Sequence, residues 1–379
     1  MLKSGIRQSD VSPMEQPGQI VGHFLLQGNI LQISPLGNGL INDTYLVKTS
    51  GDSPDYVLQR INHAIFRNVE VLQHNIETVT AHIRRKLEAA GEADIERKVL
   101  RFVKTDNGKT YHQDENGNYW RISVFISGAQ TIEAVSPKNS YDAGRAFGQF
   151  EAMLTDLSVP LYETIPDFHN MELRVRQLQE AIAADPVGRV SKVVLLIDRL
   201  LQQSRRMCFA EQLHREGQLP KRICHCDTKV NNMLFDSNGG VLCVIDLDTV
   251  MPSFVFSDYG DFLRTAANKV AEDEPDLSRV AFDFDIFRAF TQGYLESAGQ
   301  FLTPVEIDNL PNAVALFPYM QSVRFLTDYI NGDTYYKIQY EDHNLVRAQS
   351  QYRLFQCVEE NYDQMKTFIQ SFQLPNSGY

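Results

Sequence analysis

Between Ile223 and Val250 the chain reads ICHCDTKVNNMLFDSNGGVLCVIDLDTV. Its apolar runs are too short for helices, and Ser237-Asn238-Gly239-Gly240 is a turn between the last two. This pattern predicts a short strand over 222–224, a loop over 225–232, and a hairpin built from MLF and VLCVI. Such a hairpin lays Asp227 and Asn232 near one end of the strands and Asp246 just beyond the second, with Asp248 close by. Like charges held together in a folded chain are costly unless a cation or a proton sits between them.

The rest of the chain must build a frame for that cluster. At 379 residues it exceeds one ordinary core and suits two lobes. Residues 1–19 read as a loose polar lead-in. From 20 to 60 the text predicts strands: ILQIS and TYLVKTS joined through Gly37-Asn38-Gly39, then YVLQRI. Apolar residues at three- and four-residue steps (Val69, Leu72, Ile76, Val79, Ile83, Leu87) predict a helix from about Arg67 to Ala90, stopped by Gly91. RKVLRFVKT and NYWRISVFI read as two further strands around a polar turn. After Ser127-Gly128 helical periodicity takes over, roughly at 139–157, 170–184, 187–215, 283–299, 304–330 and 344–372. The reading is α+β: a β-rich lobe over 20–127 and a mostly helical lobe over 128–379. Ligands often lie between two such bodies.

Composition narrows the function classes. A net charge of −12 with no basic block argues against a nucleic-acid partner, since phosphate backbones need concentrated Lys and Arg. No stretch is long and apolar enough to span a membrane. The lead-in lacks the apolar core of a secretory signal, so a cytoplasmic location is expected. Five cysteines in apolar settings read as core thiols of a reducing compartment. Cys224-His225-Cys226 has the wrong spacing for zinc, and no second pair completes a site.

Phosphoryl transfer needs a carboxylate beside the acceptor hydroxyl and hard oxygen ligands for Mg²⁺. His225, Asp227, Lys229 and Asn232 spell H-x-D-x-K-x-x-N, the catalytic-loop pattern of protein kinases and their small-molecule relatives. VIDLD then stands where those enzymes carry a metal-binding Asp; with no Gly after it, it resembles the I-D-x-x form of the aminoglycoside phosphotransferase family. Together with GLINDTYLV, YVLQRIN and RFLTDYINGDTYYK…HNLVRAQSQ, this loop resembles the N-acetylhexosamine 1-kinase group of that superfamily, over nearly all of residues 30–355.

The resemblance implies a two-lobed protein-kinase-like fold and phosphorylation of the anomeric hydroxyl of N-acetylglucosamine or N-acetylgalactosamine, with ATP and Mg²⁺ as cofactors. The residues alone reach only a small-molecule kinase. A kinase of an aminoglycoside, amino alcohol or homoserine stays open, as does a nucleotide-binding pseudokinase. In this reading Asp227 accepts the acceptor's proton and Lys229 steadies the transferring group. Asn232, Asp246 and Asp248 hold one or two metal ions. His225 braces the loop. Gly37, Gly39, Asn42 and Thr44 form the phosphate cover, and the backbone of Val124 to Ile126 holds adenine. Arg60, with Glu70 or Glu77 as its acidic partner, meets the α/β-phosphates; Gln59 next to it points to the opposite sheet face. Of two acids after the metal site, Asp261 is expected as structural support and Asp258 is ambiguous. The sugar is expected near Arg324, Asp328, Tyr336 and Arg347, whose donors and acceptors suit a neutral hydroxyl-rich ligand.

Overall fold

YVLQRI and YWRISV alternate in character, and the computed structural model makes them neighbours at the centre of one sheet. It describes residues 17–36, 42–132 and 135–372. The chain divides into two compact units. One runs to Thr80 and resumes over Val99–Ser127; the other comprises Ala81–Lys98 and the chain from Gly128 on.

In the first unit, β1 (Ile30–Pro35), β2 (Asp43–Thr49), β3 (Tyr56–Ile61), β4 (His112–Gln113) and β5 (Tyr119–Val124) form an antiparallel sheet in the order β1-β2-β3-β5-β4. Period-2 alternation sorts its side chains. One face packs Leu58, Trp120 and Ile122 with Ile20 and Val21 of a short helix, α1 (Pro17–Val21). On the other face Arg121 bonds Gln73 of α2 (Val69–Ala89). The buried Leu72, Ile76 and Val79 of α2 follow the predicted helical steps, and Gly91 closes the helix end with φ 67°.

The expected strand RKVLRFVKT is corrected. Ile95–Lys98 is a helical turn, α3. The following residues only graze β5, through Val103 N–H to Ile122 O (2.8 Å) and Val124 N–H to Arg101 O (2.9 Å). The fifth strand is β4 instead, inside the stretch read as a turn.

The second unit is helical: α4 (Pro137–Leu154), α5 (Met171–Ala184), α6 (Val194–Met207), α7 (Phe209–Arg215), α8 (Phe256–Ala266), α9 (Phe284–Ala298), α10 (Pro304–Asp308), α11 (Leu310–Ile330), α12 (His343–Glu360) and α13 (Tyr362–Gln370). Two ribbons interrupt it, β6 (Arg222–Cys224) with β9 (Met251–Ser253), and β7 (Met233–Phe235) with β8 (Val241–Val244). The hairpin read from sequence is β7–β8. Helix α8 went unread, because SDYGDFLRTA is short and carries acids on a helix that is buried along most of its length. Helices α4 and α9 lie unusually close. A Cβ on Gly144 would sit 2.1 Å from Phe290 O, so only glycine permits this approach.

Candidate active site

The loop after β6 is held from beneath. Asp258 of α8, fully buried, accepts the backbone N–H groups of His225 and Cys226, each at 2.7 Å. Its own carbonyl accepts the Thr228 hydroxyl at 2.7 Å. Cys226 has φ 64°, a left-handed conformation that costs a non-glycine residue about 1–2 kcal/mol. The two bonds from Asp258 offset that strain and fix the turn.

His225 lies wholly inside. Its Nε2 donates to Ile245 O (2.8 Å) and its Nδ1 accepts from Asp227 N–H (3.3 Å), so the ring is neutral and ties the loop to the hairpin's exit. Phe147 and Phe150 of α4 pack edge-on against it. Below Asp258 lies Glu151, also on α4 and buried, which accepts from the Tyr294 hydroxyl of α9 at 2.6 Å. Burial first, then the adjacent Asp258, pushes the Glu151 carboxyl well above its ordinary range. Burial also raises Asp258, but the two backbone N–H bonds from His225 and Cys226 oppose it. Glu151 is therefore the neutral acid of the pair and Asp258 the acceptor.

On this platform Asp227 is clasped from both sides. Lys229 Nζ pairs with its Oδ1 at 2.7 Å, and Asn232 Nδ2 donates to its Oδ2 at 3.2 Å and to its carbonyl at 2.8 Å. Burial works against the Lys229 charge, yet Asp227 outweighs it and the ammonium pKa is raised. Ile245 N–H bonds Asn232 O at 2.9 Å, which places Asp246 beside Asn232 at the end of the β7–β8 hairpin. Asp246 is exposed with φ 59°; Asp248 is buried in the turn that follows.

In the first unit, Gly37 and Gly39 lie outside the described residues. Asn42 is a buried brace whose Oδ1 accepts Asn62 N–H at 2.9 Å. Thr44 accepts from Gln59 Nε2 at 3.4 Å. The expected acidic partner of Arg60 is corrected. Its bonded acid is Asp43, directly across the sheet in register, at 2.7 Å. Glu77 instead accepts from the Thr110 hydroxyl, and Glu70 from the Tyr111 hydroxyl at 3.3 Å. Arg60 shares its face with Leu58 and Trp120, away from α2. The cation on the α2 face is Arg121, bonded to Gln59 and Gln73. The adenine edge narrows too: Val124 and Phe125 spend their N–H groups on Arg101 and Asp55, which leaves the N–H of Ile126 outside the sheet bonding.

Of the four residues expected at the sugar, Asp328 is corrected. Its carboxylate accepts Thr334, Tyr335 and Tyr336 N–H (2.8–2.9 Å) and Asn344 Nδ2 (2.9 Å), so it shapes the 334–336 loop and has no oxygen left for a ligand. Arg324 and Tyr336 come together, the guanidinium 5.6 Å from the ring. The Tyr336 hydroxyl is buried without a hydrogen-bond partner, as is Arg347 Nε. Arg347 stacks on Phe325 and donates to Lys337 O at 3.2 Å.

A model of the phosphotransferase enzyme family matches residues 32–294. The chain belongs to that family. As a phosphotransferase it shares its fold with solved small-molecule kinases at low identity. An aminoglycoside phosphotransferase from Alicyclobacillus acidocaldarius is 14% identical with TM-score 0.62, covering 96% of this chain and 99% of that one. A choline kinase from Cryptosporidium parvum is 12% identical with TM-score 0.54, covering 90% and 94%. A spectinomycin phosphotransferase solved with ADP and spectinomycin is 16% identical with TM-score 0.51, covering 95% and 99%. The α+β architecture, a small antiparallel sheet unit and a large helical one, is the one these phosphotransferases carry.

Sequence reasoning missed part of this phosphotransferase's site. Asp258, not Asp261, anchors the loop; Asp261 pairs with Arg264 one turn along α8, at 3.0 Å. Sequence offered no signal to separate the two acids, since both are buried on α8 and the distinction lies in what each meets in the fold. Glu151 had no signal, because a lone acid in an amphipathic helix reads as solvated. His169, whose electrostatics reach Arg324 and Asp227, and Arg174, which feels Arg324, lay in text that showed only a helix start.

Proposed function

We propose that the protein is an N-acetylhexosamine 1-kinase, moving the γ-phosphoryl group of ATP to the anomeric hydroxyl. The observation that carries the transfer step is the clasp on Asp227. A carboxylate fixed on one side by Lys229 and on the other by Asn232 cannot swing, so it presents a fixed lone pair to a hydroxyl proton. As that proton reaches Asp227, Lys229 can turn its charge toward the transferring group, where positioning and charge neutralisation matter most.

The donors fit a hard divalent cation. Asn232 commits its amide nitrogen to Asp227, so its Oδ1 faces the other way, and the carboxylates of Asp246 and Asp248 follow directly after the hairpin. This all-oxygen set suits Mg²⁺, held by Asn232, Asp246 and Asp248. Bound there, Mg²⁺ would neutralise phosphate charge. Two arginines of the sheet are candidates for the phosphate cation. Arg121 is 3% exposed and bonded to two glutamines, whereas the Arg60 side chain keeps 32% exposure, so Arg60 is the one able to meet a nucleotide.

The sugar part of the reading is supported by the resemblance of RFLTDYINGDTYYK…HNLVRAQSQ to the hexosamine kinases and by Arg324 and Tyr336 standing together there. The test is ADP release with Mg²⁺-ATP across free sugars, amino alcohols and aminoglycosides, followed by location of the phosphate by ³¹P NMR. Transfer to C1 of N-acetylglucosamine or N-acetylgalactosamine is expected. Faster transfer to another acceptor replaces the hexosamine by that acceptor.

A further inference from the structure

Two arginines of the second unit stand together without a counter-charge. Arg324 of α11 lies 5.8 Å from the Phe168 ring and 5.6 Å from the Tyr336 ring, and among the described residues its head bonds the neutral Gln321, at 2.9 Å. Arg174 of α5 donates to the Phe168 carbonyl at 2.7 Å, the Asp167 carbonyl at 3.2 Å and Gln177 at 3.0 Å. Among the described residues, no carboxylate lies within ion-pair distance of either guanidinium. Burial, then Arg324, lowers the Arg174 pKa to about 10. Between them His169 stacks on Phe168 at 4.3 Å and meets Phe317 edge-on at 4.9 Å. Burial and the two arginines hold it neutral, its pKa lowered to about 3, although Asp227 pulls the other way.

Of the nearby acids, Asp167 acts on Arg174 only through space and accepts from Asn170 Nδ2 at 2.7 Å; the others are committed elsewhere. Asp227 pairs with Lys229, Asp261 and Glu272 with Arg264, and Asp328 with backbone N–H groups. Three buried polar atoms remain unmatched in this cluster: His169 Nδ1, Arg174 Nε and the Tyr336 hydroxyl. A native chain rarely leaves such atoms unpaired without a ligand to meet them. Two cations with no acid at ion-pair distance among the described residues, next to a histidine that feels Asp227, repel a third positive charge and attract oxygen lone pairs.

We propose that Arg174, with His169, is a specificity-determining element that admits acceptors through their oxygen lone pairs and rejects cationic ones, so that choline, aminoglycosides and unacetylated amino sugars are poor substrates. The proposal rests on the kinase reading of Asp227 and does not require the acceptor to be a hexosamine.

The experiment compares N-acetylglucosamine, glucosamine, glucuronic acid and choline by ADP release, in wild type, Arg174→Gln and Arg174→Lys. The wild type is expected to favour the N-acetyl form over glucosamine about tenfold or more in kcat/KM. Arg174→Gln narrows that gap, chiefly through KM for glucosamine, while Arg174→Lys retains it. Equal losses in both variants, or wild-type turnover of glucosamine or choline that matches the uncharged sugar, overturn the proposal. Preference for glucuronic acid sinks the hexosamine reading and leaves this one standing. If no acceptor turns over, ¹⁵N-histidine NMR decides. The His169 ring signal should move with N-acetylglucosamine or glucuronic acid and not with glucosamine or choline; a response to the cationic ligands, or to none of the four, overturns it.

Discussion

Asp258 accepts the backbone N–H of Cys226 at 2.7 Å and thereby holds a left-handed cysteine one residue before Asp227. The loop that carries Asp227 inherits its shape from a helix about thirty residues away in sequence. Asp258→Asn keeps the size but turns an NH₂ group toward one of the two loop N–H donors. A buried donor left unmatched costs about 1–3 kcal/mol. The expected outcome is a lower Tm and a kcat reduced at least about tenfold, with nucleotide KM less affected, since the two N–H groups that Asp258 accepts both belong to the loop. An unchanged kcat would show that the loop keeps its shape without this anchor.

Asp227→Asn tests the proposed base. The amide can still meet Asn232 or Lys229 through its oxygen, so the loop should persist. Loss of proton acceptance should lower kcat about 10²- to 10⁴-fold. Nucleotide affinity by calorimetry should stay near wild type. A kcat near wild type removes Asp227 from the role of base.

The β7–β8 hairpin was legible in sequence because its strands are short, its turn is rich in Gly and Asn, and its polar residues have fixed spacing. β7 and β8 formed where expected. What stayed hidden depends on distant contacts. A one-dimensional reading offers Arg60 only the acids on the next helix, whereas the sheet puts Asp43 opposite it. Asp328 reads as a ligand because it is polar amid helices, but the loop that folds back over it supplies the N–H groups that consume it. The stretch RKVLRFVKT has strand composition, and a helical turn at Ile95–Lys98 displaces it.

The α4–α9 contact is a packing prediction. Gly144 and Gly293 let the helices approach until Glu151 meets Tyr294. Gly144→Ala places a methyl group 2.1 Å from the Phe290 carbonyl, a backbone atom that cannot swing aside. Overpacking of this kind costs about 1–3 kcal/mol or more. Thermal unfolding should therefore begin a few degrees lower, roughly 1–2 °C per kcal/mol for a chain of 379 residues, since the unfolding entropy grows with length. Because α4 also carries Phe147 and Phe150 against His225, kcat should fall with it. A Tm within a degree of wild type would mean that the helices can separate without cost.

Glu151 gives the stability a sign with pH. Its native carboxyl is raised well above the ordinary value, first by burial and then by Asp258. Below the unfolded value of about 4.5 both states hold the proton, and the contribution is fully present. As pH climbs past that point the unfolded chain releases its proton while the native state must keep its own. This group's contribution is thus lost as pH rises, until the native carboxyl itself titrates. Glu151→Gln stays neutral at every pH; its oxygen can accept from Tyr294 and its amide can donate to Asp258. Chemical denaturation at about pH 5 and about pH 8 should show the variant gaining on the wild type at the higher pH. Parallel behaviour of the two proteins across that window would mean that Glu151 is ionised in the fold, and Asp258 would then be the residue that carries the proton.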